Sequence, residues 1–484
     1  MANQKALATL RHSDQVVHAS KWIPKTIRRR ENFLCTLFSA LDSNEVRYCV
    51  LHSWEELPEK LTSDLDVAVH PEDICGLVSV FRLLREEGYI PVQVLNYFVN
   101  AYYFVFAWFE GSEINYVAVD IIFEHRRGGL IVPSGEELVS DRRRQSIFWI
   151  PAPESEFTYL LAKKTWKGAV AANQALRLRT LIKALGRPEA ERLAGRIFLG
   201  KLRERIVEAC ASGCAGEHFR QFKNQTWKTG LVRNPLRFIA YLLSDAVRRV
   251  HRWLQPTGLL LVVMGPDGTG KSTLIENLVQ STEPAFRRHR VFHWRPMLLW
   301  RRKIVRDSTQ PHSLAPHASW WSIIHLFAHL LDYWVGYWLV IRPLLARSGI
   351  VVFDRYFHDV LADPKRYRYG GPLYLVKFMS QLVPKPDLVL ILDAPLDVIL
   401  SRKQEVPAEE VLFQKRTYLQ MAGSFPHSLV IDSRFQIAQV SAQAGRAVVE
   451  YLAQRFEHRH AQRVFIPSPS FRSRWKDTRR RLFN

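Results

Sequence analysis

Cysteine is scarce in this chain: five in 484 residues (Cys35, Cys49, Cys75, Cys210 and Cys214), an odd count in which only Cys210 and Cys214 lie near each other, one helical turn apart. That excludes a disulfide framework and makes small buried hydrophobes in a reducing compartment the expected role. The first residues, MANQKALATLRHSDQ, lack an apolar h-region, which excludes a secretory signal and points to a cytoplasmic protein. Acidic residues are short: 46 Asp and Glu against 68 Lys and Arg leave a formal charge of +22. Such a surplus calls for polyanionic surroundings, whether nucleic acid, an anionic membrane face or phosphorylated small molecules. With 47% hydrophobic residues the chain is neither disordered nor fibrous, and its length predicts two or three domains. Long hydrophobic runs are rare. One, Trp320 to Ile341, has the length to cross a bilayer, but His325, His329 and Asp332 near its middle predict a core helix.

The pattern along the chain divides it into five stretches. Residues 1–30 form a polar, basic arm ending in three arginines. Residues 31–165 carry helical spacing over Glu31–Ser43 and strand-like runs at Arg47–Leu51, Leu65–His70, Tyr102–Phe109 and Ile114–Ile122, the mark of an α+β domain. Residues 166–257 read as a Lys/Arg-rich helical connector. An α/β domain follows over 258–458, where the strand-like runs LLLVVM from Leu259, Gly349–Phe353 and Leu388–Leu392 alternate with long helical stretches and predict a parallel sheet flanked by helices. A tail, 459–484, mixes Arg and Lys with aromatics. Arm and tail are either solvated ends or peripheral contacts to a membrane surface or nucleic acid.

The most specific motif is Gly265-Pro266-Asp267-Gly268-Thr269-Gly270-Lys271-Ser272, directly after LLLVVM and before the helical TLIENLVQ. GxxxxGK[ST] between a strand and a helix is a phosphate-binding loop. Its glycines let successive backbone N–H groups point inward as an anion nest, and the helix N-terminus adds its positive end. Lys271 is expected on the β- and γ-phosphates of ATP and Ser272 on Mg²⁺. An NKxD-type guanine motif is missing, which disfavours a GTPase switch. Asp354 and Arg355 end the buried run VVFD, at the sheet edge where ligands bind in open parallel sheets. There the carboxylate can orient an acceptor or hold Mg²⁺ through water, and the guanidinium can clamp a phosphate. After the Leu388 strand, Arg402, Lys403 and Arg416 are candidates for a mobile basic segment closing over the transferred group.

These motifs, in this order, resemble the thymidylate kinase family of P-loop kinases. The resemblance rests on Gly265 to Thr273, on Ile341-Arg-Pro-Leu-Leu-Ala-Arg-Ser-Gly349 leading to Asp354-Arg355-Tyr356, and on Pro386–Asp393, and it spans about residues 258–455. It implies ATP and Mg²⁺ as cofactors and a phosphorylated small molecule as acceptor. By the same resemblance Asp267 would face the acceptor, Arg355 and Tyr356 would contact it, and Arg295 in His293-Trp-Arg-Pro296 would grip its phosphate. Where the family has small residues after DRY, this chain has Phe357-His358-Asp359, a departure that bears on which acceptor is used.

A second constellation lies near the amino terminus: His52-Ser53, then Asp64 and Asp66, then Asp120 on a later strand. Carboxylates at i and i+2 on a strand share a face, and a third acid from a neighbouring strand completes an oxygen cage suited to Mg²⁺. The pattern is similar to the nucleotidyltransferase superfamily, with His52 in place of its usual glycine. Lys163 or Lys164 on the following helix could support a phosphate. Joined units of these two kinds resemble bacterial proteins associated with surface-polysaccharide synthesis. The leading expectation is an ATP-dependent phosphotransferase acting on a nucleoside monophosphate or related phosphorylated molecule. The alternative is a regulatory or scaffold protein that binds nucleotide, turns it over slowly and docks on membrane or nucleic acid.

Overall fold

The computed structural model describes residues 30–59, 61, 64–128, 130–212, 219–220, 222–223, 225–298, 312, 314–403 and 406–460. The basic arm up to residue 29, the tail from 461, Cys214 and Glu405 lie outside the described residues. The described residues divide into two compact units: one holds 30–108, Tyr116–His251 and 455–460, the other Phe109–Asn115 and Arg252–Gln454.

In the first unit β1 (Tyr48–Val50), β2 (Leu65–Val69), β3 (Ile90–Phe98), β4 (Ala101–Glu110) and β5 (Glu113–Ile122) form one sheet in the order β1-β2-β5-β4-β3. Two short hairpins, β6 (Glu124–Arg127) with β7 (Leu130–Ser134) and β8 (Arg143–Gln145) with β9 (Phe148–Ile150), follow. Alternation along the strands sends side chains to opposite faces. Leu65, Val67 and Val69 join a core with helices Arg30–Ser43 and Gly76–Glu86. Ala68 and Ile122 face a second core shared with helices Pro153–Lys167, Ala172–Leu185, Arg187–Ala194 and Leu202–Ser212. The helical stretch after residue 166 therefore packs on the same sheet as the strands before it. Asp66, on the Ala68 side of its strand, is carried toward helix Pro153–Lys167.

The second unit is a five-stranded parallel sheet, β10 (Leu259–Met264), β11 (Arg288–His293), β12 (Gly349–Asp354), β13 (Leu388–Asp393) and β14 (Ser428–Asp432), in the order β11-β12-β10-β13-β14. Every residue of β10 is buried, as expected of a central strand covered on both faces. Because β10 lies between β12 and β13, the connections leave its carboxyl end in opposite directions, and a crevice opens there. Val263 pairs with Asp354, so the end of β12 stands beside the loop that follows β10.

The apolar run from Trp320 departs from expectation. Helix Ser319–Gly336 continues through a π-helical turn, Tyr337–Ile341, into helix Arg342–Ala346. Only 22% of its most apolar stretch is buried, which corrects the expected core helix. One side carries Leu326, Asp332 and Tyr333 inward, while Trp320, Phe327, Leu331 and Trp338 on the other side are exposed.

Candidate active site

The loop after β10 is shaped by glycines in the left-handed region. Gly265, Gly268 and Gly270 have φ of 145°, 86° and 87°, conformations a side chain resists. At Gly265 there is also no room: a Cβ would meet Leu392 O at 2.4 Å. Gly270 caps helix Lys271–Thr282, with Leu274 N–H closing its first turn onto Gly270 O at 3.0 Å. Ser272 and Thr273 are exposed at that first turn, and Thr269 Oγ1 bonds to Pro266 O at 2.8 Å. Lys271 is buried and folds onto its own loop, donating to Gly265 O at 2.9 Å, Pro266 O at 2.8 Å and Asp267 Oδ1 at 3.3 Å. Burial, with Arg355 close by, lowers its pKa from the usual lysine value.

Asp267 draws the rest of the site together. Arg355 and Arg366 each donate to one of its carboxylate oxygens while Lys271 shares the first. Burial alone would raise its pKa; Lys271, Arg355 and Arg366 outweigh that and hold the carboxyl well below the usual range. Arg355 sits at φ 73°, a conformation rare outside glycine and concentrated at functional sites. Its backbone N–H bonds to Val263 O at 2.9 Å, and its guanidinium also reaches Asp359 Oδ2 at 3.0 Å. Tyr367 donates to the same carboxylate at 2.6 Å and Tyr418 to its other oxygen. Asp354 is held by His293 Nδ1 at 3.1 Å, and its second oxygen, Oδ1, is buried without a hydrogen-bond partner. Although burial opposes it, the His293 contact and nearby Lys271 keep the Asp354 carboxyl below its ordinary pKa.

Two expected acceptor residues are engaged elsewhere. Tyr356 is fully buried and donates to Pro384 O at 2.5 Å, in an aromatic cluster with Tyr333 and Phe353. Arg295 stands beside fully buried Asp332 at 3.4 Å, and Asp332 also accepts from Met297 N and Leu298 N. From Tyr367 a ring ladder leads away: Trp294 stacks on it at 4.3 Å, His329 meets Trp294 at 4.8 Å, and His325 lies 5.0 Å from Trp321 and 5.2 Å from His317. Those three histidines, Ser322, Tyr367 and Arg368 line a small pocket. Burial, then Arg295 and Arg368, lower the His325 pKa from the usual imidazole value. Of the basic residues after β13, Lys403 is near enough to act on Asp267, Arg402 bonds to Ser433 O at 2.9 Å, and Arg416 is exposed.

Arg366, Tyr367 and Tyr418 escape sequence reasoning because their role exists only where three segments converge. The one local signal is the basic-aromatic run Lys365-Arg366-Tyr367-Arg368 ahead of Gly370-Gly371.

In the amino-terminal unit, Asp66 and Asp120 are paired across β2 and β5, while Asp64 precedes the strand and is exposed. Lys163 Nζ lies 2.7 Å from Asp66 Oδ1 and 2.8 Å from His52 Nε2, and that same ring nitrogen is 2.8 Å from Asp66 Oδ2. Against the effect of burial, Lys163 and His52 pull the Asp66 pKa down. Asp120, accepting from Tyr97, is pushed up to about 7 by burial and by Asp66. Lys164 is buried and lowered to about 8, chiefly by burial. Ser53 has φ 57° and bonds to His52 Nδ1 at 3.0 Å.

A glycine cradle at the carboxyl end of a parallel sheet, with a buried lysine and two arginines converging on it, defines a P-loop nucleotide-binding protein. The comparisons with known proteins narrow the class. Residues 263–448 match the family model described as thymidylate kinase. A thymidylate kinase from Xanthomonas campestris pv. campestris is 30% identical over 208 residues, covering 42% of this chain and 88% of that protein. One from Xanthomonas oryzae pv. oryzae is 29% identical over 210 residues, with the same coverage of 42% and 88%. Solved thymidylate kinases from Candida albicans (20% identity, TM-score 0.30, 39% of this chain and 89% of that one) and Ehrlichia chaffeensis (18%, 0.29, 39% and 96%) are also similar. Through its carboxyl-terminal unit, the chain belongs to the thymidylate kinase family.

Proposed function

We propose that the chain is an ATP- and Mg²⁺-dependent kinase that transfers the γ-phosphoryl group to a nucleoside monophosphate or a related phosphorylated small molecule. The observation that carries this reading is the convergence of Lys271, Arg355 and Arg366 on Asp267, a cationic ring around the anion-binding loop. The cradle suits a polyphosphate: its glycines hold left-handed conformations where a Cβ at Gly265 or Gly268 would crowd Leu392 O at 2.4 Å or Ile399 O at 3.0 Å, and Lys271 is already in the loop. On binding, charged phosphate oxygens would replace the two loop carbonyls as partners of the Lys271 ammonium, a stronger charge-assisted pairing. Ser272, and Asp354 through water, would hold Mg²⁺, which neutralises charge on the transferring group.

An acceptor that is itself a phosphate needs no general base, because the attacking oxygen is already ionised at neutral pH. Arg355 and Arg366 then serve to draw two anions together and to hold the acceptor oxygen in line with the γ-phosphorus. The new P–O bond forms to the acceptor, the bond to the β-phosphate oxygen breaks, and ADP leaves. The histidine-lined pocket reached from Tyr367 is unlike a simple apolar slot for a base, so a sugar-type acceptor is included in the proposal.

For the amino-terminal unit we infer a nucleotidyltransferase-like pocket in which Asp66 and Asp120 take a divalent cation. Its support is Asp120 Oδ1, buried without a hydrogen-bond partner beside Asp66. Lys163 and His52 already neutralise Asp66, so a cation must displace the ammonium or bind on the Asp120 side. A screen of nucleoside monophosphates and sugar phosphates for ADP release tests both readings. The kinase shows acceptor-stimulated ADP release that disappears in Lys271→Ala. Changing Asp64 and Asp66 to Ala leaves that release intact and abolishes divalent-cation binding by the amino-terminal unit. ADP release indifferent to every acceptor would leave a nucleotide-binding regulator as the better account.

A further inference from the structure

Three metal-ligating side chains meet in the carboxyl-terminal unit outside the phosphate-binding loop. His312 precedes helix Ser319–Gly336 in the chain, Asp363 follows the short helix Asp359–Ala362, and Glu410 lies in the first turn of helix Ala408–Ala422. Their donor atoms, one ring nitrogen and two carboxylate oxygens, all lie within 4.8 Å of one another. His312 Nε2 is 2.8 Å from Asp363 Oδ1. The group is invisible in the sequence because each member comes from a different segment.

Acids often gather on a surface without binding anything, but these are not surface acids. The Asp363 side chain is 1% exposed, and those of His312 and Glu410 are each 17% exposed. Two carboxylates held so close and so far from water need cations beside them. The compensation is uneven. Asp363 is served by Arg366, whose Nε reaches Oδ2 at 3.0 Å and whose backbone N–H reaches Oδ1 at 3.0 Å. Glu410 has, among the described residues, only the Lys365 ammonium at 2.8 Å, on a side chain 57% exposed. An ion pair to so exposed a partner is worth at most about 1 kcal/mol, so this lysine swings into solvent at little cost. The cation position beside Glu410 is held by a replaceable ammonium.

We propose that His312, Asp363 and Glu410 bind a divalent transition ion of the zinc class, and that Lys365 holds the ion's place in its absence. The donor set selects the ion. An imidazole nitrogen with two carboxylates suits Zn²⁺ and its neighbours, whereas Mg²⁺ prefers oxygen donors and keeps several of its waters. Ligands about 2.0–2.2 Å from one ion stand roughly 3–3.5 Å apart. His312 Nε2 and Asp363 Oδ1 are already near that spacing, and rotation of the Glu410 side chain closes the rest. With the ion bound, the neutral imidazole carries its proton on Nδ1 and presents Nε2 as a lone pair. Three protein ligands leave a fourth position for water or a ligand oxygen. The ion would take Oδ1 of Asp363 and leave Oδ2 to Arg366, which also donates to Asp267. It would thereby brace an arginine of the phosphate-binding site. That consequence rests on the kinase reading, while binding of the ion does not.

The test is a Zn²⁺ titration of the full chain, stripped of metal beforehand, against a chromophoric chelator in excess Mg²⁺ and without nucleotide. Asp64→Ala with Asp66→Ala is carried throughout, so that the amino-terminal carboxylates do not contribute. One equivalent of Zn²⁺ should bind ahead of any other. His312→Ala and Glu410→Gln should each weaken that equivalent by at least about 100-fold. Lys365→Met, which removes the competing ammonium, should tighten it by about two- to fivefold, a gain that misfolding cannot produce. The absence of a stoichiometric equivalent, or one that His312→Ala and Lys365→Met both leave unchanged, would overturn the proposal.

Discussion

At the scale of residues, Asp267 and Lys271 set the strongest expectations. Lys271→Ala removes the cation that would meet the β- and γ-phosphates and should lower ATP consumption by about 10²–10³, measured as ADP release at saturating acceptor. Asp267→Ala leaves the Arg355 guanidinium, only 4% exposed, with Asp359 as its remaining carboxylate, and should cost roughly 3 kcal/mol by denaturant unfolding. Asp120 predicts a pH dependence. Its folded pKa of about 7 lies above the ordinary carboxylate value, so the folded state holds the proton more tightly than the unfolded one. The penalty is absent at acid pH and grows as pH rises through the unfolded value toward about 7. Asp120→Asn should therefore stabilise the amino-terminal unit at pH 8 by more than about 1 kcal/mol relative to its effect at pH 4. A divalent cation that binds Asp120 should bind more tightly over the same rise, and thermal shift against Mn²⁺ at several pH values reads both.

Among elements, the central strands of the carboxyl-terminal sheet are legible in the sequence and the edges are not. β10, β12 and β13 are buried on both faces and read as continuous apolar runs. β11, Arg288–His293, buries only Phe292, and β14 buries only Ile431, so neither shows an apolar run or clean alternation. β3 in the first unit was hidden by Pro91, Gln93 and Asn96 within an otherwise apolar stretch. The phosphate loop was legible because eight consecutive residues carry its chemistry. The Asp267 cluster was legible only in part, since Arg366 reaches Asp267, and Tyr418 reaches Asp359 beside Arg355, from segments far apart in the chain. The stripe from Trp320 departs from the expected core helix because hydrophobicity alone does not tell a fully buried helix from one that buries a single face. The loop makes its own prediction. Gly265→Ala would drive a Cβ to 2.4 Å from Leu392 O, so the β10–loop–helix element must shift. Binding of an ATP analogue, followed by calorimetry, should be lost even though the altered residue contributes no side-chain contact.

For the whole molecule, two units with separate cores imply separable behaviour. The cores around Phe33 and Phe157 and the core around Val262 share no residue. Scanning calorimetry should show two transitions, and an ATP analogue with Mg²⁺ should raise only one of them, by mass action on the unit that binds it. A single transition moved as a whole would mean that the units unfold together. The account rests most heavily on the claim that the cradle and the Arg355–Arg366 pair act on one phosphoryl group. The direct measurement follows label from γ-³²P ATP in the presence of the stimulating acceptor. The account predicts that label appears on the acceptor, one transferred for each ADP formed, and that Arg355→Ala abolishes the transfer while nucleotide still binds. Label recovered only as inorganic phosphate, in the same amount with or without acceptor, would contradict it.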